Sequence, residues 1–226
     1  MKKIYFIFAT LLFLIFPVIA LAGCGLVESN NISDIRYGVF DAECESYNVT
    51  FTYGLREKPY YPDGIANTTV EFGIISVVFK ERIEENETVY YNLRINDEAF
   101  SGTLEKSPYT EQYMADIGRI CSDGDILSIE IYFNEDTNSE AIDLVNKNKD
   151  WNVNYKYALD SGLDALSDYI SKIRKNKLSY EVHVKILNEQ ETNFGSYFWS
   201  VTIIVSDGQR HNVVFGTDST DILLKN

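Results

Sequence analysis

Three stretches of this chain alternate apolar and polar residues with a period of two. Tyr47, Val49, Phe51 and Tyr53 are interleaved with Asn48, Thr50 and Thr52. The same rhythm returns at Val89, Tyr91, Leu93 and Ile95, and at Leu127, Ile129, Ile131 and Phe133. Successive side chains of a strand point to opposite faces, so this spacing predicts half-buried strands and is incompatible with a helical stripe. Around these runs lie a continuous β-rich segment, Val70 to Lys80, and shorter candidates at Ala99 to Leu104 and Tyr113 to Cys121, with β pattern from Ile35 onward. Turn chemistry separates them. Lys58 to Gly64 contains two prolines and an Asp-Gly pair, and Ser122-Asp-Gly-Asp125 reads as a hairpin turn.

About seven strands over residues 35–135, with turn signals at intervals, fit an immunoglobulin-like β-sandwich. A jelly roll or an open barrel can be drawn from the same strands. Two antibody-domain hallmarks are missing: neither tryptophan falls in this region, and Arg119 rather than a tyrosine stands two positions before Cys121.

Residues 136–154 change character and read as a linker, with Ser139 placed to cap a short helix running to Lys147. From Tyr155 to Lys175 the apolar residues Leu159, Leu163, Leu166, Ile170 and Ile173 recur at steps of four and three, which is one face of a helix of about five turns. Lys172, Arg174, Lys175 and Lys177 gather at its C-terminal end, where the helix dipole favours positive charge. Strands are expected at Tyr180 to Leu187, Tyr197 to Val205, His211 to Phe215 and Ile222 to Leu224, with a hairpin at Asp207-Gly208. The expected fold class is therefore mainly β with an α+β C-terminal part over residues 155–226. The segment Tyr197 to Gly208, then Asn212 to Phe215 and Asp221 to Leu223, behind the Tyr155 to Ile173 helix, resembles the PepSY family of small extracytoplasmic domains. The likeness covers about 75 residues and is mostly hydrophobic spacing around a turn, with Gly216 to Thr220 standing in place of the family's usual turn before the last strand. It implies a non-catalytic regulatory or interaction domain.

The N-terminus carries an address. Lys2 and Lys3 precede an apolar block from Ile4 to Ala20, followed by Leu21-Ala22-Gly23-Cys24. Charge, apolar core and small residues are the parts of an export signal. The last four residues resemble the lipobox of bacterial-type lipoproteins, which implies cleavage after Gly23, a diacylglyceryl group on Cys24 as lipid attachment site, and a tether over residues 24–34. The block is also just long enough to span a bilayer as an uncleaved helix. Both readings place the remainder at a cell membrane, facing outside the cytoplasm. In an exported chain Cys44 and Cys121 are able to pair, and closing so long a loop contributes about 4.5 kcal/mol in the chain-entropy model. Two buried free thiols are the alternative.

With 34 acidic against 20 basic residues and a net charge of −14, the chain repels phosphate backbones, and nucleic acid is not an expected partner. The two histidines, His183 and His211, both fall in expected strands, and His183, opposite the apolar face of Tyr180, Val182, Val184 and Ile186, is expected in solvent. No cysteine is spaced with either as a zinc site requires, and no serine sits in a nucleophile-elbow pattern. Asp123 with Asp125, and Glu135 with Asp136, are clustered oxygens of the kind calcium takes, without the spacing of an EF-hand loop. Asn31, Asn48, Asn67 and Asn86 head glycosylation sequons. No catalytic residue, metal ligand or cofactor site is assigned. The expected activity is binding of a peptide, protein or envelope polymer near the membrane; an envelope hydrolase with paired carboxylates at a domain junction and a structural spacer or adhesion module are the competing readings.

Overall fold

The strand that organises the structure is β1, Ile32–Glu43, because three other strands hydrogen-bond to it. The computed structural model describes residues 31–84, 86–133, 139–187 and 196–226, and residues 31–226 make a single compact unit. After β1 come β2 (Tyr47–Glu57), β3 (Thr69–Phe79), β4 (Val89–Ile95), β5 (Glu98–Lys106), β6 (Gln112–Ile117), β7 (Leu127–Phe133) and β8 (Ile142–Asn146). A 3-10 turn at Lys147–Asp150 leads to α1 (Tyr155–Ala165) and α2 (Ser167–Lys175), then to β9 (Tyr180–Leu187), β10 (Phe198–Val205), β11 (Arg210–Gly216) and β12 (Ile222–Lys225). The protein is mainly β, and among the described residues no helix is long and apolar enough to cross a membrane.

Strands β1-β2-β3-β6-β5-β4-β7-β8 pair antiparallel in that order, and β8 returns to β1 through Phe40↔Asn146 and Asp41↔Val145. These eight strands thus close into a barrel, where the sequence suggested two stacked open sheets. The closing strand comes from the segment expected to be a linker. Ile142 and Leu144 alternate with Asp143 and Val145, and the open edges of β1 and β7 recruit them, so a strand forms where a short helix was expected. Ser139 accordingly caps no helix; its hydroxyl donates to Glu130 Oε1 at 2.8 Å. Inside, Phe51, Ile75, Val77, Leu93 and Ile129 are wholly buried and fill the barrel.

β1 is longer than its pairing with β8 requires. Its first half pairs parallel with β9 through Ile32↔Val182, Asp34↔His183 and Ile35↔Val184, and the sheet continues antiparallel through β10, β11 and β12. Ile32, Ser33 and Asp34 therefore belong to this strand and not to the tether, because the ladder to β9 needs them. Between the two partners β1 carries a bulge from Arg36 to Gly38, and there the Asn148 side chain takes the place of a strand. Asn148 Oδ1 accepts from the Val39 N–H at 3.0 Å, and its Nδ2 donates to the Tyr53 hydroxyl at 3.2 Å. Gly38 makes room: a Cβ there would lie 1.7 Å from Asn148 Nδ2.

The second core lies between the helices and β9–β11. Trp199, Val201, Ile203, Val213 and Phe215 pack against Ala158, Leu166, Ile170 and Ile173. Gly162 lets α1 approach β10, since a Cβ would meet the Val201 side chain at 2.5 Å. Trp199 Nε1 donates to the Val153 carbonyl at 2.7 Å and fixes the start of α1, whose first N–H groups are capped by Asn154 Oδ1. The single helix expected over residues 155–175 is interrupted at Leu166, yet Leu166, Ile170 and Ile173 stay in the same core, so the apolar period gave no sign of the break.

Candidate binding site on the outer wall

Residues opposite one another in a sheet share a face, so register alone places the polar residues. Phe40, Phe51 and Ile75 pair across β1, β2 and β3 and point into the barrel. The residues flanking them face out, and the extra residue in the β1 bulge puts Asp34, Arg36, Val39 and Asp41 opposite Arg56, Gly54, Thr52 and Thr50, all on the outer face. From Asp34 a polar row runs across five strands: Arg56, Asp34, His183, Thr202 and Asn212.

Asp34 and His183 of this row are buried, and so are polar residues beside it. Ser33, Asp34, Glu181, His183 and Ser200 are all less than a tenth exposed. The β2–β3 connection covers Glu181 and His183 and is held by two buried carboxylates. Glu57 accepts from the Tyr61 N–H (3.1 Å) and from both the N–H and Nδ2 of Asn67 (3.1 and 3.3 Å). Glu181 accepts from Ser33 Oγ at 2.5 Å and from the Gly64 N–H at 3.2 Å. Gly64 has φ of +82°, and a Cβ would collide with the backbone at Val205 and Ser206, so only glycine fits. The Tyr60 hydroxyl receives a hydrogen bond from Lys185 Nζ at 3.0 Å and lies 3.4 Å from His183 Nδ1. Lys185 also pairs with Asp34 at 3.4 Å.

His183, expected in solvent, is 3 % exposed. The loop that covers it comes from more than a hundred residues away, which strand alternation cannot reveal. Burial, with the nearby positive charges of Lys185, Arg210 and Arg36, pushes its imidazole down to about 4 against a partial opposing pull from Asp34. It is neutral at pH 7, so its 3.5 Å approach to Glu181 is not an ion pair there. Burial raises the Glu181 carboxyl, and the bonds from Ser33 and Gly64 counter it in part.

Beside the row lies an open groove of about 70 Å³. Thr50 and Thr52 of β2, Ile74 and Ser76 of β3, and Gln112 and Met114 of β6 form one wall. Arg36, Val39, Ile186 and Tyr197 form the other. Among the described residues Arg36 is the single charged one in the lining. Its Nη1 donates to the Ile186 carbonyl at 2.9 Å, and its Nε is buried with no acceptor among the described residues. Asp34 Oδ1 and His183 Nε2 on the same face are also buried without a hydrogen bond there.

Cys24, the lipid-attachment candidate, lies outside the described residues, as do Glu135 and Asp136. Cys44 and Cys121 are free thiols, both against the barrel core; burial pushes the Cys121 thiol up to about 12. Asp125 closes its own turn, accepting from the Ser122 N–H and Oγ and from Asn96 Nδ2. Asn67 is taken up by Glu57, and His211 stacks on Tyr169 with ring centroids 3.9 Å apart. Among the described residues no group of three His, Cys, Asp or Glu is placed to hold a metal. The sequence did not single out Arg36, Asp34, Glu57 or Glu181. A usable sign was present in β9, where Glu181, His183 and Lys185 occupy the face opposite four apolar residues. No protein-family model, curated protein or solved structure matches the chain.

Proposed function

We propose that this protein is a lipoprotein, anchored to a membrane through Cys24 and facing outside the cytoplasm, that acts by binding a peptide, protein or envelope polymer. The observation that carries the binding reading is the open groove on the outer wall, where hydroxyls, apolar side chains and one guanidinium converge beside a barrel whose interior is filled. Ligand sites of this kind combine an apolar lining with a few placed polar groups. Two helices followed by an antiparallel meander are consistent with the PepSY-like reading of residues 155–226, which implies an interaction role. The lipobox pattern supports the anchor, since one acyl chain holds a protein marginally and two or three hold it firmly.

The experiment has two arms. Mass spectrometry of the mature N-terminus is expected to find acyl-glyceryl cysteine at residue 24, with Cys24→Ala released from the membrane fraction; an intact Met1 overturns the lipoprotein. Residues 25–226, immobilised and challenged with purified peptide and polymer fractions of the source envelope, are expected to retain one of them, and Thr52→Trp, which fills the groove, is expected to lose it. Equal retention by both proteins moves the site elsewhere.

A further inference from the structure

We propose that the outer-wall groove recognises a carboxylate, with the Arg36 guanidinium as its receptor. The inference rests on the reading of the chain as a binding protein and names the chemistry of its ligand.

The argument begins with charge. Acidic residues outnumber basic ones 34 to 20 in this chain, yet Arg36 has no carboxylate partner among the described residues. The acids on its own face are already engaged. Asp34 pairs with Lys185 at 3.4 Å, and Asp116 pairs with Arg56. Asp41 pairs with Lys147 at 3.1 Å and accepts from the Tyr197 hydroxyl at 2.7 Å. Among the described residues the only acceptor Arg36 has is a neutral one, the Ile186 carbonyl on Nη1.

A guanidinium presents five N–H donors in a rigid planar fork that matches the two oxygens of a carboxylate. The bond from Nη1 to β9 holds one corner of the plane. The guanidinium is half-buried without a counter-charge among the described residues, and an anion in the groove supplies one. The hydroxyls of Thr50, Thr52 and Ser76 line the facing wall and make no hydrogen bond among the described residues, so they are available to the rest of the ligand. Thr50 and Ser76 are direct cross-strand neighbours, and Thr52 lies two residues along. One positive charge with three hydroxyls suits a monoanion such as a peptide C-terminus or a uronic acid, in preference to a phosphate dianion, which is normally met by several cations.

The test is a titration of isotope-labelled residues 25–226, followed by NMR at the amides of Thr50, Thr52 and Ser76. Four probes are used: acetyl-trialanine with a free C-terminus, its C-terminal amide, glucuronate and glucose. The expected result is saturable shifts with at least one carboxylate probe and none with its neutral counterpart at ten times the concentration. Saturation by the peptide acid identifies a chain end as the ligand class; saturation by glucuronate identifies an acidic sugar. Arg36→Gln is expected to weaken binding at least tenfold, Arg36→Lys by less, and the exposed Arg210→Gln not at all. If Arg36→Gln fails to fold, Thr52→Trp, which keeps the guanidinium and blocks the groove, must abolish the shifts. Absence of saturation with both acids, equal binding of a neutral probe, or unchanged binding by Arg36→Gln overturns the proposal. Those outcomes leave the Cys24 anchor untouched, and failure of the anchor leaves the titration untouched.

Discussion

His183 is the residue whose ionisation the fold controls most directly. Its pKa falls from 6.5 to about 4 on folding, so between those values the unfolded chain binds a proton that the native protein refuses. Stability is then fully present above pH 6.5 and is lost as pH falls toward 4, by about 3 kcal/mol at most. Glu181 acts in the opposite sense: its raised carboxyl takes up a proton in the native state first, which favours the fold on acidification. Urea unfolding from pH 7.5 to 4.5 is expected to show a steeper loss in the parent than in His183→Gln; parallel profiles would exclude this role. Asn148 is a second residue with a defined task. Asn148→Ala removes the acceptor of the Val39 N–H and the donor to Tyr53, with an expected loss of about 1–3 kcal/mol. An unchanged urea midpoint would mean that solvent satisfies the bulge. In β9 the sequence disclosed which side of the strand His183 occupies, because that follows from alternation. It gave no sign of burial, which depends on a loop anchored through Glu57 and Gly64.

Among the elements, the β2–β3 connection illustrates how a long loop is kept ordered. Its exposed Tyr61 and Ile65 gain little from the core, and its position relies on buried carboxylates accepting its backbone N–H groups. Gly64→Ala introduces a Cβ into the backbone at Ser206 at a positive φ. The expected outcome is a loss of more than about 1 kcal/mol and new proteinase K cleavage within residues 58–68, read by mass spectrometry. A digestion pattern identical to the parent's would show that the loop is held by other contacts. The strands β2, β4, β7, β9 and β10 were legible because each has one apolar face. β8 was missed because five residues, Ile142-Asp-Leu-Val-Asn146, are too short to show a period against a polar background. The groove escaped for a different reason: Thr50, Thr52 and Ser76 are ordinary outward strand residues, and only the bulge that turns Arg36 to the same face makes them one wall of a site.

At the scale of the molecule, both cores draw on the same strand. Phe40 belongs to the barrel, Ile35 and Val39 to the helix-covered core, and Tyr37 packs against both. Both tryptophans, Trp151 and Trp199, lie in the second core, so their fluorescence reports on that side alone, whereas far-UV circular dichroism is dominated by the strands of both. Thermal transitions followed by the two probes are expected to coincide, as they do for a cooperative two-state unit; midpoints several degrees apart would show that the cores melt separately. The shared strand also bears on the order of assembly. A chain delivered from its N-terminus presents β1 first, but the strand that closes the barrel on it ends at Asn146 and the one that extends it reaches Leu187. Contacts such as Arg36 to Ile186 span 150 residues, and closing loops of that length comes before any reward from the contact. One edge of β1 is taken at once by β2 through a short turn, but its other edge is among the last in the fold to find its partners, and until then that edge is exposed to whatever lies nearby.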